Sequence, residues 1–64
     1  MTFGQLAKYL DPITKVKLFR NSTGKIMPSG FIKDLPNQNN YGSLEVIKFE
    51  IDWENKEVNV YVGD

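Results

Sequence analysis

The sequence contains neither cysteine nor histidine among its 64 residues. Without cysteine no disulfide can stabilise the fold, and without both residues the usual zinc-ligand sets cannot be assembled. The same absence excludes catalysis by a cysteine nucleophile or a histidine base. We therefore expect the chain to hold no cofactor and no metal, to have no small-molecule substrate and not to be an enzyme.

Long apolar runs are absent as well. No stretch reaches the roughly 18 apolar residues of a transmembrane helix, and the first residues lack the basic and apolar regions of a signal peptide. Hydrophobic residues make up 41% of the chain and charged residues 25%, which is ordinary for a globular protein. The composition predicts one small cytoplasmic domain over residues 1–64 that is not associated with a membrane.

The formal net charge is zero, but opposite charges are concentrated in opposite halves of the chain. Residues 1–33 contain six basic residues and one acidic residue, a net charge of +5. Residues 34–64 contain two lysines and seven acidic residues, a net charge of −5. The sequence leaves open whether the two halves form separate faces of the folded domain, and therefore which kind of partner either half attracts.

The first element predicted is a short helix. Thr2 is expected as the N-cap with Gln5 as its capping-box partner, and Asp11-Pro12 ends the helix because proline disfavours the α conformation in the residue before it. A helix this short is not stable alone and must pack on a sheet. The apolar stripe of this helix is Phe3, Leu6, Ala7 and Leu10.

Two strands are predicted next, over residues 14–20 and 25–33. Val16 and Leu18 alternate with lysines in the first strand, which is typical of a sheet with one buried face. Pro28 has no amide hydrogen, so the second strand is expected to lie at an edge or to contain a bulge, and Gly30 favours the bulge. The polar residues 37–43 predict an exposed loop.

The last twenty residues show the clearest alternation, with apolar residues at 47, 49, 51 and 53 and again at 58, 60 and 62. This pattern predicts a hairpin that turns at Asn55-Lys56 and places Trp53 opposite Val58 on the core face, so that Trp53→Ala would unfold the domain. Val46 has the opposite phase from Ile47, so either a bulge near Val46-Ile47 or a strand that starts at Ile47 is expected. The predicted fold is α+β, with one short N-terminal helix packed on a mostly antiparallel sheet of about four strands (α-β-β-β-β).

Two charged surfaces are candidate binding sites. An acidic surface is suited to a basic groove on a nucleic-acid-handling protein, and a tyrosine beside it would increase its contact area. A basic strand face next to an aromatic residue is typical of single-stranded nucleic-acid binding. The alternative for both is an ordinary solvated strand face. The protein-binding candidates are Glu50, Asp52, Glu54, Glu57 and Tyr61, and the nucleic-acid-binding candidates are Lys15, Lys17, Phe19 and Arg20.

A third possibility is self-association. An edge strand around Pro28 would pair with its copy across a two-fold axis, giving a homodimer or a self-associating structural protein.

Three stretches of the sequence resemble small accessory proteins of phages and prophages of low-GC Gram-positive bacteria. They are TFGQL at 2–6 with DP at 11–12 and TKV at 14–16, GFIKDLP at 30–36, and VI at 46–47 with DWENK at 52–56 and VNV at 58–60. The resemblance implies a phage-encoded protein that acts in the cytoplasm of the bacterial host by binding and blocking a host protein. The partner it implies is a nucleic-acid-handling or defence protein such as a CRISPR effector nuclease, which would make the chain an anti-CRISPR-type inhibitor used in host defence evasion.

Overall fold

In the computed structural model, which describes residues 1–63, helix α1 (Phe3–Ala7) follows the N-cap Thr2. The Thr2 hydroxyl accepts a hydrogen bond from the Gln5 amide at 3.2 Å, and the Gln5 side chain accepts one from the Thr2 amide at 2.8 Å. The predicted capping box is therefore confirmed. The helix ends earlier than predicted, because the amides of Tyr9 and Leu10 bond three residues back, in the tighter 3₁₀ pattern.

Four strands form one sheet in the order β2-β1-β4-β3. Their bounds are Lys15–Arg20 for β1, Ile26–Phe31 for β2, Val46–Asp52 for β3 and Glu57–Val62 for β4. The hairpins β1–β2 and β3–β4 are antiparallel, whereas the central strands β1 and β4 are parallel. The predicted α+β class, with one helix on a mostly antiparallel sheet, is confirmed.

Both predicted bulges are present. The β1–β2 register shifts between Ile26 and Ser29, which brackets Pro28, and the β3–β4 register shifts between Val46 and Lys48. Gly30 lies outside the first bulge, so its predicted role there is wrong. A Cβ on Gly30 would lie 3.7 Å from the Cδ1 atom of Leu35, an ordinary van der Waals contact, so the packing of Leu35 does not require a glycine at this position.

The segment between β2 and β3 is more ordered than the loop predicted over residues 37–43. It contains two 3₁₀ turns, Leu35–Asn37 and Tyr41–Ser43. The second turn lies against α1 at a glycine contact, since a Cβ on Gly4 would come within 3.0 Å of the Gly42 carbonyl oxygen. Together α1 and the two 3₁₀ turns form a layer over one face of the sheet.

The core lies between this layer and the two central strands. Its buried residues are Phe3, Leu6, Val16, Leu18, Ile32, Leu35, Val58, Val60 and Val62. Within residues 1–63, neither edge strand contributes a fully buried side chain, and Val46 of β3 and Met27 of β2 are only partly buried. The covering layer is therefore wide enough for β1 and β4 but leaves much of β3 open.

The β3–β4 hairpin has a register two residues away from the predicted one. Phe49 lies opposite Val60 and Ile51 opposite Val58, so the loop contains the four residues 53–56 instead of two. A shift of two residues keeps every strand side chain on its predicted face, because side chains alternate with a period of two. Phe49 and Ile51 therefore still point to the core side of the sheet.

Trp53 is the residue that this shift displaces. It lies in the turn and is 80% exposed, so the prediction that it packs in the core is wrong. A two-residue turn at Asn55-Lys56 of the common type I′ would need a positive φ at both residues. The four-residue loop needs it only at Lys56, whose φ is 55°.

The exposure of Trp53 gives a direct test of the register. We expect Trp53→Ala to change the free energy of unfolding by less than about 0.5 kcal/mol, as for other surface substitutions. Phe3→Ala is the control, because Phe3 is fully buried and such truncations cost about 3–5 kcal/mol. Urea denaturation measures both, and a loss at Trp53 comparable to that at Phe3 would contradict the observed register.

Candidate functional site

The sheet has one covered face and one open face, here called the outer face. Strand alternation places every second residue of each strand on it, and no element of residues 1–63 packs over it. Charged and aromatic side chains occupy most of these positions. The outer face is formed by Lys15, Lys17 and Phe19 of β1, Ile26, Ser29 and Phe31 of β2, Lys48, Glu50 and Asp52 of β3, and Glu57, Asn59 and Tyr61 of β4.

One end of the outer face is aromatic. Phe19 and Tyr61 lie opposite one another on the central strands, with ring centroids 5.0 Å apart and an interplanar angle of 21°. The Nζ atom of Lys48 lies 4.6 Å from the centroid of the Tyr61 ring. Stacking and the cation–π contact hold Tyr61 in place, so it offers a rigid surface to a partner.

The other end is acidic, and the β3–β4 hairpin brings its carboxylates together. Asp52 lies directly opposite Glu57, Glu50 is the next outer-face residue along β3, and Glu54 lies in the turn. These four residues are called the acidic corner below. The sequence-predicted protein-binding residues are therefore neighbours, except that Tyr61 lies at the far end of β4 on the same face.

Asp52 is fixed by the turn that follows it. Its Oδ1 atom accepts a hydrogen bond from the Asn55 amide at 3.1 Å, and its Oδ2 atom accepts one from Asn55 Nδ2 at 2.9 Å. These hydrogen bonds lower the pKa of Asp52 below its ordinary value because they favour the ionised form, and the hydrogen bond from the Asn55 side chain has the larger effect. The acidic corner therefore keeps this charge at any near-neutral pH.

The basic and acidic halves of the chain share the outer face and lie side by side. Residues 15–31 form the hairpin on one side, and residues 46–62 form the hairpin on the other. They meet where β1 pairs with β4, and there Lys17 Nζ lies 3.5 Å from Glu57 Oε2. The question that the sequence left open is thus resolved: the two halves do not form separate faces, and opposite charges adjoin along one line.

The nucleic-acid-binding candidates are only partly brought together. Lys15, Lys17 and Phe19 share the outer face, whereas Arg20 has the opposite phase and lies on the covered side of the sheet. There Arg20 and Tyr41 line an open depression of about 540 Å³. The expectation that Arg20 adds to the basic face is therefore wrong.

Other residues of interest are scattered. Tyr9 is 82% exposed beyond the end of α1, whereas Tyr41 is partly buried against the core. Glu45 lies 2.9 Å from the Met1 ammonium group, away from the acidic corner. Asp64, counted above among the acidic residues, lies outside the described residues.

Sequence reasoning missed one apolar surface. Ile47, Phe49, Ile51 and Trp53 were assigned to the core, but they are between 46% and 80% exposed. These four residues are called the β3 strip below. Alternation reveals which face of a strand is apolar, but it does not reveal how far the covering layer extends, so no signal in the sequence separates the strip from the buried valines of β4.

Neither a metal site nor a membrane-spanning helix is found in the part of the chain that the structure describes. Within residues 1–63 no three acidic side chains are arranged to hold a metal ion, and no helix is long and apolar enough to cross a membrane. No protein-family model matches the chain, and no curated protein or solved structure is significantly similar to it. The resemblance to phage accessory proteins stays a prediction.

The hydrogen bonds of Asp52 predict a pH-dependent contribution to stability. The folded state lowers the pKa of Asp52, so ionised Asp52 stabilises the fold at pH values above the pKa that this carboxyl has in the unfolded chain. The contribution is lost as the pH falls through the pKa of Asp52 in the folded state. Asp52→Ala should therefore lower the free energy of unfolding at neutral pH, and the difference from wild type should shrink below about pH 4.

Urea denaturation at a series of pH values measures this difference. Asp34→Ala is the matched control, because it removes an equal charge from an aspartate that makes no capping hydrogen bond. If the loss of unfolding free energy caused by Asp52→Ala stays constant down to the pH at which the domain unfolds, the hydrogen bonds of the turn do not depend on the charge of Asp52.

Proposed function

We propose that the domain is a protein-binding inhibitor that uses its outer face to occupy a basic surface on its partner. The observation that carries the proposal is the acidic corner, in which Glu50, Asp52 and Glu57 are adjacent on an open sheet and Glu54 extends them into the turn. The chemistry requires no catalytic group from the domain. Inhibition follows from covering the partner's own binding surface.

Two properties of the outer face support this role. The acidic corner supplies clustered negative charge, which steers a positively charged partner and fixes its orientation. The stacked Phe19 and Tyr61 supply rigid aromatic area about one strand length away, and aromatic residues are enriched at protein interfaces. A surface that is charged at one end and aromatic at the other is suited to a partner whose basic groove adjoins an apolar rim.

The class of partner follows from the same chemistry. Proteins that hold nucleic acid have basic channels that bind phosphates, and a carboxylate cluster competes for such a channel. With the resemblance to phage accessory proteins, this favours a nucleic-acid-handling or defence protein of a bacterial host as the target, a CRISPR effector nuclease included. On this proposal the chain acts in the host cytoplasm as an anti-CRISPR-type inhibitor.

A nucleic-acid-binding domain is the second candidate, because Lys15, Lys17 and Phe19 do share one face. Three observations count against it. Lys17 pairs with Glu57, one face of the Phe19 ring is stacked on Tyr61, and the acidic corner on the same sheet repels phosphate. Protein binding therefore agrees better with the arrangement of charges.

The test is a pull-down with the tagged domain from bacterial lysate, with and without nuclease treatment, followed by mass spectrometry. We expect one dominant nucleic-acid-handling protein in both samples, and we expect the domain to displace nucleic acid from that purified protein. Capture that requires intact nucleic acid, together with direct nucleic-acid binding that weakens steeply with salt, would instead support the second candidate.

Charge reversal in the acidic corner then tests the surface. Glu54→Lys should weaken binding of the captured protein about threefold to tenfold, because it removes an exposed ion pair worth up to about fivefold and adds a repulsion of similar size. Asp34→Lys is the matched control, since it makes the same change of charge on an exposed residue beyond β2, at the other edge of the sheet. Equal effects of the two variants would mean that only net charge matters and that the acidic corner is not the contact.

A further inference from the structure

The β3 strip lies beyond the edge of the covering layer, with Phe49 and Ile51 on the core side of the sheet, Ile47 in the β3 bulge and Trp53 in the turn. Phe49 and Ile51 are 47% and 46% exposed, whereas Val60 and Val58 directly opposite them on β4 are buried. Ile47 and Trp53 extend the strip to both sides and are 53% and 80% exposed. A continuous apolar patch on so small a domain indicates a contact surface.

The backbone of the same strand is open to pairing. β4 is the only strand beside β3 in the sheet of residues 1–63. The Val62 carbonyl accepts a hydrogen bond from the Asn21 amide, so the backbone amide and carbonyl of Val62 point toward β1. Successive residues of a strand point these groups in opposite directions, so those of Tyr61 point toward β3. Alternation along β3 then leaves the amides and carbonyls of Phe49 and Ile51 pointing out of the sheet edge.

The open part of this edge is short and has defined ends. The Phe3 amide donates to the Leu44 carbonyl and the Val46 amide donates to the Met1 carbonyl, so the first residues of the chain occupy the edge up to Val46. The turn begins at Trp53. Ile47 lies in the β3 bulge, so the regular exposed edge is residues 48–52, which limits the registers in which another strand can pair.

Charge selects one register for a second copy. Directly opposed residues must have their side chains on the same face of the sheet. A two-fold axis between antiparallel copies therefore lies midway between one residue and the same residue of the second copy. An axis at Lys48 opposes two lysines, an axis at Glu50 opposes two glutamates, and an axis at Ile51 opposes Glu50 with Asp52. An axis at Phe49 instead places Lys48 of each copy opposite Glu50 of the other.

The same register is complementary on the apolar side. It places Phe49 against Phe49 of the second copy, on the core side of the sheet. Large apolar side chains present about 150–250 Å² each, so at the observed exposures Ile47, Phe49 and Ile51 offer on the order of 300 Å² per copy. Two copies together offer about 600 Å² before the backbone is counted, which is the size of a weak, concentration-dependent interface.

We infer that β3 is a self-association edge, through which two copies of the chain pair antiparallel about Phe49 to form one continuous eight-stranded sheet. The edge at β2 is less suited to this pairing, because Pro28 lacks an amide hydrogen and lies within a bulge. The inference does not rest on the proposed function. The pairing involves Glu50 of the acidic corner through Lys48 of the second copy, but Glu54, whose substitution tests the proposed function, lies in the turn outside the paired residues.

A charge swap tests the register. Sedimentation over a range of concentrations should show a monomer–dimer equilibrium for the wild-type chain. Lys48→Glu opposes glutamates at both symmetric positions and should raise the dimer dissociation constant about tenfold or more. Adding Glu50→Lys reverses both pairs and should restore association, although it cannot restore the contact of Lys48 with Tyr61 within each copy.

Matched substitutions on the two edge strands locate the interface. Phe49→Glu should abolish the dimer, whereas Ile26→Glu on β2 should not, although Ile26 is the more exposed at 68% against 47%. Amide exchange at Phe49 and Ile51 should slow as the concentration rises, and circular dichroism confirms that each variant is folded. A chain that stays monomeric at every concentration, a charge swap that gives no rescue, or a dimer lost with Ile26→Glu would each overturn the inference.

Discussion

The parallel pairing of β1 with β4 is the constraint on which the rest of the structure depends. These two strands supply every fully buried side chain that lies within the sheet, namely Val16, Leu18, Val58, Val60 and Val62. Without the pairing each hairpin would be an isolated two-stranded ribbon, which is marginal in water. Joined along this line, the hairpins form the one apolar surface on which α1 and the 3₁₀ turns pack. The pairing also sets a basic hairpin beside an acidic one, which gives the outer face its mixed charge.

Features determined by near neighbours in the chain were predictable from the sequence. The capping box at Thr2 follows from hydrogen-bonding groups three residues apart, and the bulge beside Pro28 follows from the amide hydrogen that proline lacks. The bulge beside Val46 follows from the change of apolar phase at that residue. The hairpin register was not predictable, because a shift of two residues leaves the alternation intact while it moves Trp53 out of the strand. The order of the strands was not predictable either, and it decides burial: Phe49 alternates as regularly as Val60, yet only the central strand is covered.

In the candidate site, too, the arrangement of residues close together in the chain was predictable and the rest was not. The acidic corner is local to one hairpin, so its residues come together under either register. Arg20 was misplaced because its assignment to the face of Lys15 and Lys17 disregarded the alternation of the strand. The two surfaces that result have different chemistry: the outer face carries fixed charges and stacked rings, while the β3 strip is apolar and ends in an open edge. A small core leaves such surfaces exposed, because three short covering elements cannot span four strands.

The β1–β4 pairing also determines when the chain can fold. Each residue of β1 pairs with the residue 42 positions later, as Lys15 does with Glu57, so the central contacts have a long sequence separation and close slowly. During synthesis at roughly 5–20 residues per second, the first hairpin must wait for β4 to be made before it gains its neighbour. Until then Val16 and Leu18 have no partner strand on that side. The nascent chain therefore passes through an interval in which its apolar strands are accessible to chaperones, and the central sheet is completed only after β4 has emerged from the ribosome.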